Sequence, residues 1–398
     1  MPARKPGLAT VTIGVETVIY SPDSDALHRL DRTASIVWSQ LTGDNSVAAL
    51  AADFAAVYRA DSGTVLDDLL ALVTGFWRRG LLDGSTADAE FTGRDRRAVR
   101  KGLVADLPTA VDGKLPAAPH RTPACRALGH RFSVASNMTA VRDYLQFILC
   151  DLADSGTGST TSYEVLAIED TTYVLRYQGE VIAAVDRTDR ALSLLLWHIN
   201  MQAAQAAAMY DPVVHAAAAV RSGVTVLMPA PQESGKTTTV AGLVRAGFGY
   251  LSDEAVAIDR NSLLPRAYPK PLSIDSGSWD ILAELRPRYS DQMVGQWQVP
   301  ATSIRGDALA EPAPIRFVVI PAYERDADTR LERMSRPETL VALADSTFHF
   351  WDAPQRNLDI LAGMLHSTSC FRLTLSDLNH GIRLVEDLVG SEQLDVTE

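Results

Sequence analysis

Val224-Thr225-Val226-Leu227-Met228, then Ala230-Pro231-Gln232-Glu233-Ser234-Gly235-Lys236-Thr237, then Thr238-Thr239-Val240-Ala241-Gly242-Leu243-Val244 is the stretch that decides the fold. An apolar run of strand type enters a turn holding Gly-Lys-Thr, and a helical pattern follows. A phosphate-binding loop needs that order. Backbone N–H groups of the loop and of the helix start face phosphate oxygens, a lysine adds a point charge, and the next hydroxyl ligates Mg²⁺. The candidate nucleotide-binding residues are therefore Ala230, Pro231, Gln232, Glu233, Ser234, Gly235, Lys236, Thr237 and Thr238, with Thr237 a candidate metal ligand. The pattern G-x-x-x-x-G-K-[ST] opens with glycine, and Ala230 stands in that place; a positive φ there would strain alanine. The alternative is an incidental Gly-Lys-Thr in an ordinary strand–helix turn.

Two further elements flank this stretch. His215 lies in Val213-Val214-His215-Ala216-Ala217-Ala218, at the end or start of a strand before the loop strand. Asp253 and Glu254 follow Gly247-Phe248-Gly249-Tyr250-Leu251-Ser252, where an apolar strand turns over and continues as Ala255-Val256-Ala257-Ile258. Phosphoryl transfer needs a carboxylate on the metal and a base for the accepting hydroxyl. Asp253 can supply the first, and Glu254 or Asp253 the second, while His215 could orient an acid or pair with phosphate. The catalytic set is thus His215, Lys236, Asp253 and Glu254. Exposed turn acids and a core histidine are the plainer alternatives. Spacing does not choose among Arg305, Arg316, Arg325, Arg333 and Arg336 for neutralising transferred charge.

Lys and Arg total 37 against 49 Asp and Glu, a net charge of −12, which argues against nucleic acid or an anionic membrane as the main partner. Cys125, Cys150 and Cys370 are widely spaced without a metal-binding pattern, so reduced thiols and a cytoplasmic location are expected. No apolar stretch reaches membrane-span length, and the basic N-terminus is not followed by a signal-type apolar region.

The 398 residues allow two or three domains. Over 1–85, alternating strands at Ala9–Ile13 and Glu16–Tyr20 and a short strand at His28–Leu30 precede three helical periods, through Trp38, Phe54 and Trp77, in a winged-helix-like plan. Residues 86–128, rich in proline and small residues, are expected to be a linker; its basic run Arg94-Asp95-Arg96-Arg97-Ala98-Val99-Arg100-Lys101 reads as a solvated face. Residues 129–398 divide into an α+β part over 129–200 and a nucleotide-binding core over 201–398. The expected class is α/β.

A histidine before the loop strand, Gly235-Lys236-Thr237, and Gly247-x-x-Tyr250-Leu251-x-Asp253-Glu254 together resemble the HPr kinase/phosphorylase family, one of the phosphoenolpyruvate-carboxykinase-type P-loop kinases. Tyr268-Pro269-Lys270-Pro271-Leu272 resembles a segment of its distant relatives. The resemblance covers roughly 130–390 and implies ATP or another nucleoside triphosphate, Mg²⁺ held with Asp253, and Glu254 with His215 serving the proton of an accepting serine. Homo-oligomers occur among such relatives. Ala230, Ala216 and Glu254 depart from the family's pattern.

Leu30-Asp31-Arg32-Thr33-Ala34-Ser35-Ile36-Val37-Trp38 through Gly43, Tyr58 and Gly80-Leu81-Leu82 resembles the PqqD family, recognition elements for ribosomally made, modified peptides. That resemblance implies a leader peptide added as a strand to the small sheet. The joint expectation is a tethered kinase for a Ser or Thr hydroxyl of a precursor peptide. A small-molecule kinase and a non-catalytic nucleotide-sensing adaptor for peptide delivery are the alternatives.

Overall fold

In the N-terminal region, Asp31, Ser46 and Asp61 each accept a backbone N–H from three residues on, so each caps a helix: Arg32–Gln40, Val47–Tyr58 and Ser62–Arg78. The computed structural model in which these elements are seen describes residues 2–93, 115–169, 171–231 and 234–395. Two compact units emerge. The first holds Met1–Leu103 with Ser335–Asp345 and Phe350–His366, and the second holds Val104–Met334, Ser346–His349 and Ser367–Glu398. The basic run 94–101, Gln232 and Glu233 lie outside the described residues.

In the first unit, strands Ala9–Ile13, Glu16–Ser21 and Ala26–Leu30 form an antiparallel sheet in chain order. One face packs on the three helices through Ile19, Leu30, Val37, Trp38, Leu69 and Phe76. Trp38 meets Phe76 edge to face at 5.5 Å. The other face is covered from far along the chain. Helix Arg336–Asp345 packs on the second and third strands and helix Pro354–Leu365 on the first. Tyr20 meets Phe350 edge to face at 5.1 Å. The Gln355 side chain clamps the backbone of Thr10, accepting from its N–H at 2.8 Å and donating to its carbonyl at 2.9 Å. The division at residue 85 therefore differs from the structure: these two helices have an apolar face that the sheet buries, which periodicity cannot assign to a partner.

The second unit contains two six-stranded sheets and two smaller ones among its described residues. Strands His120–Arg121, Cys125–Ala127, His130–Ser136, Thr161–Glu169, Thr172–Tyr177 and Glu180–Val185 form one sheet, against which helix Thr188–Ala208 packs. Strands at 120–127 pair with His130–Ser136 in a stretch expected to be linker, because short edge strands carry too little alternation to stand out. The other main sheet has the order Gly249–Ser252, Ala216–Arg221, Val224–Pro229, Ile315–Tyr323, Ser369–Leu375, Arg330–Arg333. Val224–Pro229 runs parallel to Ile315–Tyr323, and that strand parallel to Ser369–Leu375. Helices Lys236–Arg245 and Leu378–Asp395 pack on it through Val240, Leu243, Val244, Ile382 and Val385. The class is mixed α/β.

Two of its strands leave the sheet together. Ala216–Arg221 pairs with Gly249–Ser252, while the residues just before and after, Val213–Val214 and Val256–Ile258, pair in a separate sheet with Thr347–Phe348 and Pro265–Arg266. The chain beyond the two acids thus continues as a strand, but in a different sheet. His215 stands at one crossing and Asp253-Glu254 at the other.

Candidate active site

The 230–237 turn begins where Pro229, lacking an N–H, ends its strand opposite Ala216. Ala230 is buried and is not among the residues with positive φ, so alanine is unstrained in the place of the pattern's first glycine. Gly235 has φ +90° at the N-cap of helix Lys236–Arg245, with no side chain capping that end. The glycine is required there, because a side chain at that φ is strained. Among the described residues no side chain caps that helix start, and the buried Ser234 hydroxyl has no hydrogen-bond partner.

Lys236, 6 % exposed, folds back under the turn. Its ammonium donates to the carbonyls of Ala230 at 2.7 Å and Pro231 at 2.6 Å. Burial lowers its pKa to about 8, against the opposing pull of Glu254 and Asp253. The Thr237 hydroxyl donates to Asp253 Oδ2 at 3.2 Å, so the two candidate metal ligands lie side by side. Thr238 faces away, its hydroxyl 2.7 Å from that of Ser278.

Asp253 is held from every side. Oδ1 accepts from the Tyr250 hydroxyl at 2.9 Å and pairs with the Lys270 ammonium at 2.8 Å. Oδ2 accepts from the backbone N–H of Ser273 at 3.2 Å as well as from Thr237. Lys270, 4 % exposed, spends its other donors on the Pro271 carbonyl and the Ser273 hydroxyl, both at 3.0 Å. The carboxylate therefore turns Oδ1 inward to a fixed cation and Oδ2 toward Thr237. Lys270, Tyr250 and Ser273 were not singled out in the sequence as site residues. The signal for Lys270 was a lysine inside the otherwise apolar Tyr268–Leu272 segment.

Glu254 follows on a turn tied by Ser252, whose hydroxyl accepts the N–H groups of Glu254 at 3.2 Å and Ala255 at 3.3 Å. Burial raises its pKa, with Asp253 adding to the rise and Lys270 and Lys236 opposing it. His215 Nε2 stands 3.9 Å from Glu254 Oε1, a contact rather than a hydrogen bond. The ring leans on Phe348 at 5.7 Å, and its backbone N–H donates to the Ser346 carbonyl at 2.7 Å. Burial, then Lys236 and Lys270 against Asp253, lowers its pKa to about 4, so the imidazole is neutral at pH 7. The four residues of the catalytic set thus gather around one corner of the two sheets.

Among the arginines, Arg305 is engaged at the far end of helix Lys236–Arg245, donating to the carbonyls of Val244 at 3.1 Å and Phe248 at 3.2 Å. Arg333 lies over Phe371, and Arg336 belongs to the first unit. Arg316 is at the other end of its strand from Tyr323, whose Cβ is 3.9 Å from where a Gly235 β-carbon would stand. Arg325 is exposed and follows two residues after Tyr323, the strand end that stands near Gly235.

Residues 16–82 match the family model for coenzyme PQQ synthesis protein D (PqqD). The PqqD-like domain thus runs from the second strand through the end of the three helices, within the first unit. Two solved structures are similar to the chain. "TbiB1 in Complex with the TbiA(beta) Leader Peptide" has 24% identity and a TM-score of 0.20, covering 22% of this chain and 99% of the other. The Hpr(Ser) kinase/phosphatase from Coxiella burnetii has 13% identity and a TM-score of 0.27, covering 47% of this chain and 99% of the other. No curated protein matches the chain significantly. Among the described residues no helix is long and apolar enough to cross a membrane.

Proposed function

We propose that the protein is an ATP- and Mg²⁺-dependent phosphotransferase that modifies a Ser or Thr hydroxyl of a ribosomally made precursor peptide held by its leader on the PqqD-like domain. The observation that carries the phosphotransferase reading is the Thr237 hydroxyl on Asp253 Oδ2 beside a turn that is backed by a buried lysine. The fit to a nucleotide rests on Ser234, whose enclosed hydroxyl lacks a partner among the described residues, and on the helix start at Gly235, which no described side chain caps. Both are donors that phosphate oxygens satisfy. Oδ2 of Asp253 and the Thr237 hydroxyl are hard oxygen donors of the kind Mg²⁺ takes. Bound Mg²⁺ would supply charge neutralisation on the phosphates.

The remaining work falls to side chains. Lys236 releases the Ala230 and Pro231 carbonyls and turns its charge to the phosphates. Glu254, with a raised pKa, accepts the proton of the attacking hydroxyl. His215 is neutral and a weak base, so it positions Glu254 rather than taking the proton itself. Arg325 is assigned to the transferred group's charge. On the PqqD-like domain the leader adds as a strand. Gln355 occupies the outer edge of Ala9–Ile13, which leaves the outer edge of Ala26–Leu30. Tethering raises the local concentration of the acceptor. Three free cysteines suit a cytoplasmic enzyme.

The test is incubation with ATP, Mg²⁺ and the short peptides encoded beside its gene. One peptide gains the mass of one phosphate, and Lys236→Ala lowers that rate by on the order of 10²–10³-fold while peptide binding stays within twofold. No mass gain with any such peptide sinks the reading. A nucleotide-sensing adaptor is the second reading, favoured by the Lys236 ammonium resting on its own turn; ATP binding without turnover selects it.

A further inference from the structure

Strand Ala26–Leu30 is an edge of the small sheet, and among the described residues no strand pairs with its outer side. His28 sits in its middle, opposite Ile19 and on the helix-packed face. It is 8 % exposed, and its Nε2 is enclosed without a hydrogen-bond partner. Beside it, at the C-cap of helix Ser62–Arg78, stands Arg79. The neighbouring Arg78 is ion-paired with Asp88 and Glu90. Arg79 has only the Gly75 carbonyl at 3.0 Å and the Phe91 ring at 4.7 Å, and among the described residues no carboxylate meets it. Among the described residues, an enclosed nitrogen without a partner and a cation without a counterion thus stand together beside an unpaired strand edge, which Gly93 meets at its start by donating to the Ser24 carbonyl at 2.7 Å.

We infer that this edge takes an extended peptide segment bearing an aspartate or glutamate, whose carboxylate is bound by Arg79 and the His28 ring. The inference rests on the first unit being a peptide-binding domain. An added strand sends alternate side chains to opposite faces, and cross-strand neighbours share a face. The residue opposite His28 therefore points to the helix side, where Arg79 lies. The next residue of the segment on that face stands beside Leu30 and favours an apolar side chain, while the Ala26 end is already met by Gly93. Burial first, and Arg79 second, hold the His28 ring neutral at pH 7, so its Nε2–H tautomer can donate to a carboxylate that Arg79 charge-balances. Arg29, on the opposite face, is near Glu16 at 3.6 Å and does not compete for the ligand.

Panning a displayed library of random seven-residue segments on the full-length protein tests this. The wild type should enrich one position for Asp or Glu. A synthetic copy of an enriched segment should bind R79A about tenfold more weakly, and changing its acidic residue to the amide should cost the same factor. Arg79→Lys should retain binding, and Arg79→Glu should move the preference to Lys or Arg. His28→Leu separates recognition from folding: it should leave the thermal unfolding midpoint equal or higher, because it removes an unsatisfied buried nitrogen, while weakening the acidic segment. Enriched segments with no acidic position, or undiminished binding by R79A, overturn the inference and leave peptide binding standing. If no segment is enriched, the inference and the peptide-binding reading fall together.

Discussion

In the second unit the carboxylate of Asp253, 3 % exposed, is met by Tyr250, Lys270, Ser273 and Thr237. In the first unit the ring of His28 is nearly as enclosed, yet its Nε2 has no hydrogen-bond partner among the described residues. A buried polar group without a partner costs about 1–3 kcal/mol, so the contrast is an energetic one. The corner around Asp253 finishes its network from its own chain, with Oδ2 and the Thr237 hydroxyl side by side at its outer side. Among the described residues the small sheet leaves one strand edge unpaired, the His28 nitrogen unbonded and the Arg79 cation without a carboxylate. On the proposed reading, one unit holds a fixed geometry for small charged groups and the other waits for a peptide to complete it.

Removing Lys270 should break the closed network most. Lys270→Met leaves Asp253 buried without its cation and should lower the stability of the second unit by about 3–5 kcal/mol, seen as a fall in that unit's unfolding midpoint. The first unit's transition should stay in place. An unchanged second transition would mean that the ion pair does not hold the corner.

Acidification tests both units at once. Burial lowers the pKa of His28 in the first unit, and of His130 and His215 in the second, to about 4 each. For each, the folded value lies below the ordinary 6.5. Between pH 6.5 and 4 the unfolded chain therefore binds more protons, and stability falls as pH drops through that window. Thermal scans at pH 7, 6 and 5 should show both midpoints falling. His28→Leu should flatten the slope of the first unit alone. A slope insensitive to His28→Leu would place the acid sensitivity of that unit elsewhere.

The smallest effect is expected at the closed edge of the small sheet. Gln355→Ala removes two hydrogen bonds to Thr10 and should cost about 1 kcal/mol, read as faster hydrogen exchange of the Thr10 amide. Peptide affinity should not change, since the peptide is assigned to the other edge. A gain in affinity would show that both edges accept a strand.

Much of this contrast was legible residue by residue. The strands and helices of the small domain follow from alternation and from helical apolar spacing, while the capping by Asp31, Ser46 and Asp61 came with the structure. The turn 230–237 follows from an apolar strand before Gly235-Lys236-Thr237 and a helix after it. His215 and the two acids were recognisable as reactive types near that turn. Hidden from periodicity were the pairing of helices 336–345 and 354–365 with a sheet more than three hundred residues earlier, the edge strands at 120–127, and the part of Lys270.

Local sequence by itself determined where strands, helices and the glycine turn form, because φ/ψ preference, capping and apolar spacing act within a few residues. Only the tertiary structure decided which groups became satisfied. Two strands change sheets side by side, and that crossing sets His215 beside Glu254 and brings Lys270 onto Asp253. Gln355 seals one edge of the small sheet, while among the described residues no strand pairs with the other, which Gly93 meets at its start through the Ser24 carbonyl. Whether a buried charge or ring nitrogen finds a partner depends on chain segments brought together from far apart, and no spacing along the sequence records it.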